Sequence, residues 1–226
     1  MKHGKKYRES LKKYNITNIY ELEEALKLVK SMAFAKFDET VDLSVKLNLK
    51  KSQSVRDTVV LPHQFRGEKK ILVFCKPEKE KEAQEAGAAF VGADDLIEKV
   101  KGGWTDFDVA VATPDMMKDV GKLGMVLGRK GLMPNPKTGT VTFDLKSTLA
   151  ELRKGRTEFR ADKTGVVHLA VGKVSMEPEQ VVGNIQVVIT EIKRKRPADA
   201  KGEFIKSISV ASTMGPGVWV AFAEQE

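Results

Sequence analysis

Apolar residues recur in this chain with two textures, and their segregation along the sequence limits the folds open to it. Near the start, Val41, Leu43, Val45, Leu47 and Leu49 alternate with Asp42, Ser44, Lys46 and Asn48, which marks a strand with one wet face. A second strand is expected at 55–61, stopped by Pro62, and the half-wet alternation returns at 157–160, 166–171, 204–211 and 217–222. Between these ends the texture changes. Residues 71–75 are apolar throughout, a further buried strand is expected at 107–112 and a short one at 89–92, and helical stretches at 77–86 and 94–101 separate them, as in a small parallel sheet. Thr113-Pro114-Asp115 opens another helix, and 145–154 forms the last one of this middle part. The end segments carry their own helices. Leu22, Ala25, Leu26, Val29 and Met32 form one stripe over 20–33, and Val181, Val182, Ile185, Val188, Ile189 and Ile192 form another after Pro178. An α/β module inserted into an α+β module accounts for this more simply than two domains in tandem. The chain would then cross twice, near Gly67 and near Gly155, and two short crossings suit a hinge better than a loose tether.

Leu127 to Val141 fits no element. It holds Gly128, Gly131, Gly139, Pro134, Pro136, Arg129, Lys130 and Lys137, and no acidic residue lies between Asp119 and Asp144. Glycines let a backbone approach phosphate, prolines stiffen the loop and cations displace counterions, so the segment suits a polyanion; a rigid connecting loop is the alternative. It is not a Walker loop, because Gly124 to Gly131 has one residue too few between its glycines, puts Arg129 before the lysine and lacks the Ser or Thr that would hold magnesium. The net charge of +8 favours an acidic partner, and it is uneven: +6 over 1–67, +2 over 68–156 and zero over 157–226. Cys75, the single cysteine, excludes an internal disulfide and ends an apolar run, which suits a buried strand residue. His3, His63 and His168 lack metal-ligand spacing, so neither metal nor cofactor is expected. No stretch approaches the length of a membrane span, which suits a cytoplasmic protein.

Further residues carry a resemblance. Lys36-Phe37-Asp38-Glu39-Thr40-Val41, the loop Gly128 to Val141, Asp162-Lys163-Thr164-Gly165 with His168, Gly172-Lys173, and Thr213-Met214-Gly215-Pro216 occur in that order over nearly the whole chain. In these segments the sequence resembles the bacterial ribosomal protein L-one family, the large-subunit stalk proteins. The resemblance implies an α+β fold: a split βαβ domain, ferredoxin- or RRM-like, built from residues 1–67 and 157–226, with a Rossmann-like three-layer α/β domain inserted at 68–156. It implies a non-enzymatic protein that binds large-subunit ribosomal RNA at the mobile stalk near the tRNA exit site, assists release of deacylated tRNA, and represses translation of its own operon by binding its messenger RNA. Its partners would be that ribosomal RNA, the messenger and exit-site tRNA, with the protein monomeric off the ribosome.

Carried onto this sequence, the RNA-binding residues would be Lys36, Phe37, Glu39, Thr40, Thr164, His168, Lys173, Thr213, Met214 and Gly215, with secondary contacts from Arg129, Lys130 and Lys137. The chemistry is suitable. Phe37 and Met214 offer apolar surface to sugar or base, Lys36 and Lys173 meet phosphate, the Thr213 hydroxyl meets a ribose 2′-OH, and Gly215 lets the sugar come close. Glu39 is out of place beside a polyanion unless it accepts from a 2′-OH or anchors the Lys36 segment. Each residue also has a plain reading: Phe37 as a core aromatic, His168 as a structural strand histidine, and Met214 as filler in a tight turn. Two rival functions remain: an α/β enzyme using the loop as an anion cradle, opposed by the lack of a nucleophile and base pair, and a DNA-binding architectural protein.

Overall fold

The computed structural model describes residues 4–50, 53–67, 69–197 and 202–222. It is a mixed α+β structure that divides by contacts into two compact units, one of residues 1–65 with 158–226 and one of 66–157.

The first unit is built on a five-stranded sheet. Its strands are β1 (Ile19–Tyr20), β2 (Thr40–Leu47), β8 (Val166–Lys173), β9 (Ile205–Ser212) and β10 (Val218–Val220), arranged β1-β10-β9-β2-β8. β2 runs antiparallel to both neighbours, so β8 and β9 are parallel to each other with β2 between them. The helix α8 (Pro178–Arg194) makes that crossover, and α2 (Leu22–Met32) joins β1 to β2. This is split βαβ topology. Strict alternation in β2 buries Val41, Leu43, Val45 and Leu47 on one face and leaves Thr40, Asp42, Ser44 and Lys46 on the other. The strand stops two residues short of the expected Leu49. The ladder slips between Lys46 and Leu47, and Asn48 N–H turns to the Phe204 carbonyl.

The α2 stripe of Ala25, Leu26, Val29 and Met32 is buried, with Glu23 and Glu24 in the first turn complementing the helix dipole. Each of the three larger side chains contributes roughly 1.5–3 kcal/mol by leaving water, so Val29→Asp would unseat the helix. On α8, Asn184 is fully buried and donates to the Val171 carbonyl at 2.7 Å and the His63 carbonyl at 2.9 Å, while accepting from His63 N–H at 3.0 Å. Val171 is the unpaired residue of a bulge, since Val41 faces Gly172 while Asp42 faces Ala170. The amide thereby satisfies a carbonyl that the ladder leaves open. β3 (Arg56–Val60) and β7 (Arg156–Arg160) form a separate two-stranded ladder. The short helix α1 (Lys5–Leu11) was not legible in the apolar pattern.

The second unit holds the parallel sheet β5-β4-β6, of Phe90–Gly92, Ile71–Phe74 and Val109–Ala112. The sheet is covered on both sides, which makes three layers. Ile71, Val73 and Val111 pack with Ala83 of α3 (Pro77–Glu85) and with Leu145, Leu149 and Leu152 of α7 (Leu145–Arg153). Leu72, Phe74 and Ala110 pack instead with Leu96 and Val100 of α4 (Asp94–Lys101), Val120 of α5 (Met117–Gly121) and Leu127 of α6 (Gly124–Arg129). Cys75 is buried as expected, and burial pushes its thiol up to about 11, which suits no nucleophile. The Gly/Pro/Lys run is more ordered than its composition suggests. Its first residues finish α6, Asn135 caps a single 3₁₀ turn at Pro136–Thr138 by accepting from Lys137 N–H at 2.9 Å, and Val141 bridges to Ala112 at the sheet edge.

Candidate nucleic-acid interface

Three chain segments meet where β2 begins and β8 and β9 end: the loop 33–39, the turn 213–216 and Lys173. Thr40 lies opposite Lys173 in one ladder, and Val41 lies opposite Ser212 in the other. Two groups fasten the segments. The Glu39 carboxylate, 2% exposed, accepts from Phe34 N–H at 2.9 Å and Ala35 N–H at 2.8 Å through Oε1, and from Met214 N–H at 3.1 Å through Oε2. The Thr213 hydroxyl accepts from Thr40 N–H at 2.9 Å and donates to the Thr40 carbonyl at 3.2 Å. Ser212, whose buried hydroxyl makes no hydrogen bond of full geometry, lies beside the Glu39 carboxylate. Burial alone would raise the Glu39 carboxyl, but the Ser212 hydroxyl and the N–H groups of Ala35, Met214 and Phe34 outweigh it and hold the group below its ordinary range.

Two large apolar side chains stand out from this knot. Phe37 is 57% exposed and Met214 51%, so neither belongs to a core. Lys36 beside Phe37 is exposed and has no carboxylate partner among the described residues. Lys173 Nζ donates to the Asp38 carbonyl at 3.3 Å and stands 4.0 Å from the Asp38 carboxylate, a long, half-exposed pair that leaves it available to an anion. Asp38 is more firmly used by Ser175, accepting from its N–H at 3.1 Å and its hydroxyl at 2.8 Å.

The geometry shows what three of the expected residues do within the protein, and for Glu39 it matches the anchoring alternative. Glu39 is sealed in as the anchor of the two loops and presents little of its carboxylate to a 2′-OH. The Thr213 hydroxyl is spent on Thr40, so it sets the turn's position while the backbone and Met214 form the presented surface. A Cβ on Gly215 would run into Ser212 Oγ, so any larger residue would force that hydroxyl to move whether or not a sugar approaches.

The other expected residues lie farther off. His168 is exposed midway along β8, its Nδ1 3.0 Å from Ser44 Oγ on the open face of the sheet. Thr164 lies just beyond the opposite end of that strand, whose length from Val166 to Lys173 is roughly 23 Å at ~3.3 Å per residue. Its hydroxyl and N–H both bond Asp162, whose carboxyl is held low chiefly by Val166 N–H and the Thr164 hydroxyl, and its carbonyl accepts from Lys46 Nζ at 2.5 Å. The sequence therefore pointed to an end cluster of Lys36, Phe37, Glu39, Thr40, Lys173, Thr213, Met214 and Gly215, with two outliers along the β8 edge. Asp38, Ser175 and Ser212 were missed, because short polar residues in loops and at strand ends give no signal until their partners are known. Arg129, Lys130 and Lys137 are exposed in the other unit, where Lys130 also bonds the Thr105 hydroxyl. The basic run at the end of α8 is partly used locally, with Lys195 2.6 Å from Asp57 and Lys193 over the Phe222 ring.

No group of three or more His, Cys, Asp or Glu side chains among the described residues could hold a metal ion, and no described helix is long and apolar enough to cross a membrane. The loops are knotted at the backbone, with Phe37, Met214 and Lys36 turned outward. Residues 29–216 match the model of the Ribosomal protein L1p/L10e family, and the chain belongs to this family of structural, non-enzymatic ribosomal proteins. It is 66% identical over 222 residues, 98% of each chain, to the large ribosomal subunit protein uL1 of Treponema denticola. It is 58% identical over the full length of both chains to that of Treponema pallidum, and 55% over 221 residues, 98% of each, to that of Borreliella burgdorferi.

Proposed function

We propose that this chain binds large-subunit ribosomal RNA, with the unit of residues 1–65 and 158–226 as the primary reader and the inserted unit adding contacts through Arg129, Lys130 and Lys137. The observation that carries the reading is the Glu39 knot, which holds Phe37 and Met214 out of the core on two loops fixed to one carboxylate. Rigid apolar tips flanked by Lys36 and Lys173 suit a folded RNA recognised by shape, with sugars and bases against the tips and phosphates at the lysines. Residence at the mobile stalk near the tRNA exit site, help in releasing deacylated tRNA and repression of the chain's own messenger belong to the same proposal. They rest on the family resemblance.

Co-sedimentation with large ribosomal subunits and titration of deproteinised large-subunit ribosomal RNA test the core of it. Met214→Asp and Phe37→Ala should weaken binding strongly while the protein stays folded, and Lys130→Ala should do less. Equal and negligible effects of all three would overturn the assignment. The regulatory part is tested separately, by translation of a reporter behind the chain's own leader, which added protein should repress in the wild type and not in Met214→Asp.

A further inference from the structure

The open face of the five-stranded sheet carries one row of side chains across every strand. Ile19 pairs with Trp219, Trp219 with Ser209, Ser209 with Ser44, and Ser44 with His168. Val218 and Val220 are buried in the core, so strand alternation turns Trp219 to the opposite side, where it is 42% exposed beside an Ile19 that is 68% exposed. The chain's other tryptophan shows the usual arrangement: Trp104 packs edge-on to Phe90 at 4.9 Å and against Phe107 at 5.7 Å in the second unit. A large indole left partly in water between an exposed isoleucine on one side and a serine on the other has no packing reason.

We propose that Trp219 is a stacking platform for an unpaired nucleotide of RNA. This rests on the reading that the chain binds large-subunit ribosomal RNA, and it extends the interface across the sheet from the end cluster. The indole face takes the base. Ser209, the next residue in the row, offers a hydroxyl within reach of a ribose, and Lys206 is exposed on the rim of the same depression, of about 620 Å³, which Ile19, Thr17 and Phe222 also line. Glu203 lines that depression too, so the phosphate belongs on the Lys206 side. The row continues through Ser44 to His168 on β8, the strand that ends at Lys173 in the end cluster, so one face is continuous from platform to knot. An added peptide strand suits this place poorly, because β10 is an interior strand with both ladders already used by β1 and β9. Aromatic stacking is tolerant of sequence and commonly worth a large share of single-strand affinity.

The test uses the full chain with Trp104→Phe, which leaves Trp219 as the sole indole, titrated with deproteinised large-subunit ribosomal RNA. Emission from Trp219 should be quenched in step with binding. Trp219→Ala should weaken binding by about 5- to 160-fold, the range typical of one stacked base, and Trp219→Phe should retain most of the affinity. Urea unfolding of each variant serves as the folding control. If Trp219→Ala binds as well as wild type and emission is unchanged while Met214→Asp loses binding, the platform is refuted and the end cluster stands. If Met214→Asp binds normally and Trp219→Ala does not, the cluster reading falls and the platform survives. Failure of the wild type to bind the RNA would remove both.

Discussion

Replacing Glu39 with glutamine changes one oxygen to an NH2 at a site where every neighbour donates. Three backbone N–H groups point at the carboxylate, two at Oε1 and one at Oε2, and only 2% of the residue reaches solvent. The best placement of the glutamine keeps its oxygen toward Phe34 and Ala35, which sets its NH2 against Met214 N–H, donor to donor. One charge-assisted bond is lost and one N–H is left without an acceptor, a cost of about 2–3 kcal/mol. The pH dependence gives a second signature. The folded-state carboxyl lies below its ordinary value of 4.5, so the unfolded chain takes up the proton first as pH falls. The stabilisation is fully present above that value and is lost as pH drops through the folded-state value. Urea unfolding followed by Trp219 in a Trp104→Phe background reads this unit alone. The gap between Glu39→Gln and its parent should be wide at pH 7 and shrink on acidification below 4.5. RNA affinity should fall with it, because the 33–39 loop and the 213–216 turn lose their shared fastening. A gap that is absent at pH 7, or that does not narrow in acid, would sink the argument.

Other perturbations follow from the same geometry. Gly215→Ala should destabilise the turn because its Cβ meets Ser212 Oγ, and adding Ser212→Ala should recover most of the loss, since the next atom, Ser212 Cβ, stands at a comfortable 3.7 Å; a double-mutant cycle by thermal unfolding measures the coupling. Thr213→Ala should cost about 1 kcal/mol by unfastening Thr40, and should weaken RNA binding through the displaced turn, read by urea unfolding and RNA titration together. Asp162→Asn should lower the melting temperature at neutral pH and make no difference well below pH 3.8, because Val166 N–H and the Thr164 hydroxyl bond the charged carboxylate. If Arg129, Lys130 and Lys137 meet phosphates, alanine at each should reduce the salt dependence of RNA binding by about one unit of slope or less, leaving the preference among RNAs unchanged.

Much of the secondary structure was legible because it follows local periodicity. Asp94–Lys101 and the starts of the helices at Pro77 and Pro178 fall where the pattern and the prolines put them. What escaped notice depends on partners distant in sequence. Ile19–Tyr20 is a strand only because Trp219 and Val220 lie beside it. Lys5–Leu11 lacks an apolar stripe and buries only Ser10, whose hydroxyl bonds the Met32 carbonyl. Gly124–Arg129 is helical in spite of Gly124 and Gly128, since burial of Leu127 outweighs propensity. The candidate site divides the same way. Its outward tips, Phe37 and Met214, were reached only through the family resemblance, since by residue type alone they fit a core aromatic and the filler of a turn; Glu39 as an anchor was one of two readings, and the parts that Thr213 and Gly215 play inside the protein were not legible. Their hydrogen bonds and contacts run between segments as much as 175 residues apart.

That division explains why an acidic residue sits inside a surface suited to a polyanion. On the proposed reading, a loop presenting Phe37 and another presenting Met214 must hold a fixed separation to meet a folded RNA by shape, and ordering them only on binding would cost affinity for each residue immobilised. Backbone N–H groups at the ends of loops are the one kind of donor that every sequence supplies, and a carboxylate can gather three of them at once. A lysine in the same position would add attraction for phosphate, but it could accept from none of these groups and would leave all three unpaired in a buried site. The negative charge is tolerable because it is sealed and neutralised by donors, while Lys36 and Lys173 hold the cationic rim. Preorganisation at the centre with attraction at the edge is the arrangement that Glu39→Gln would separate: the rim charges remain, and the spacing of the tips is lost.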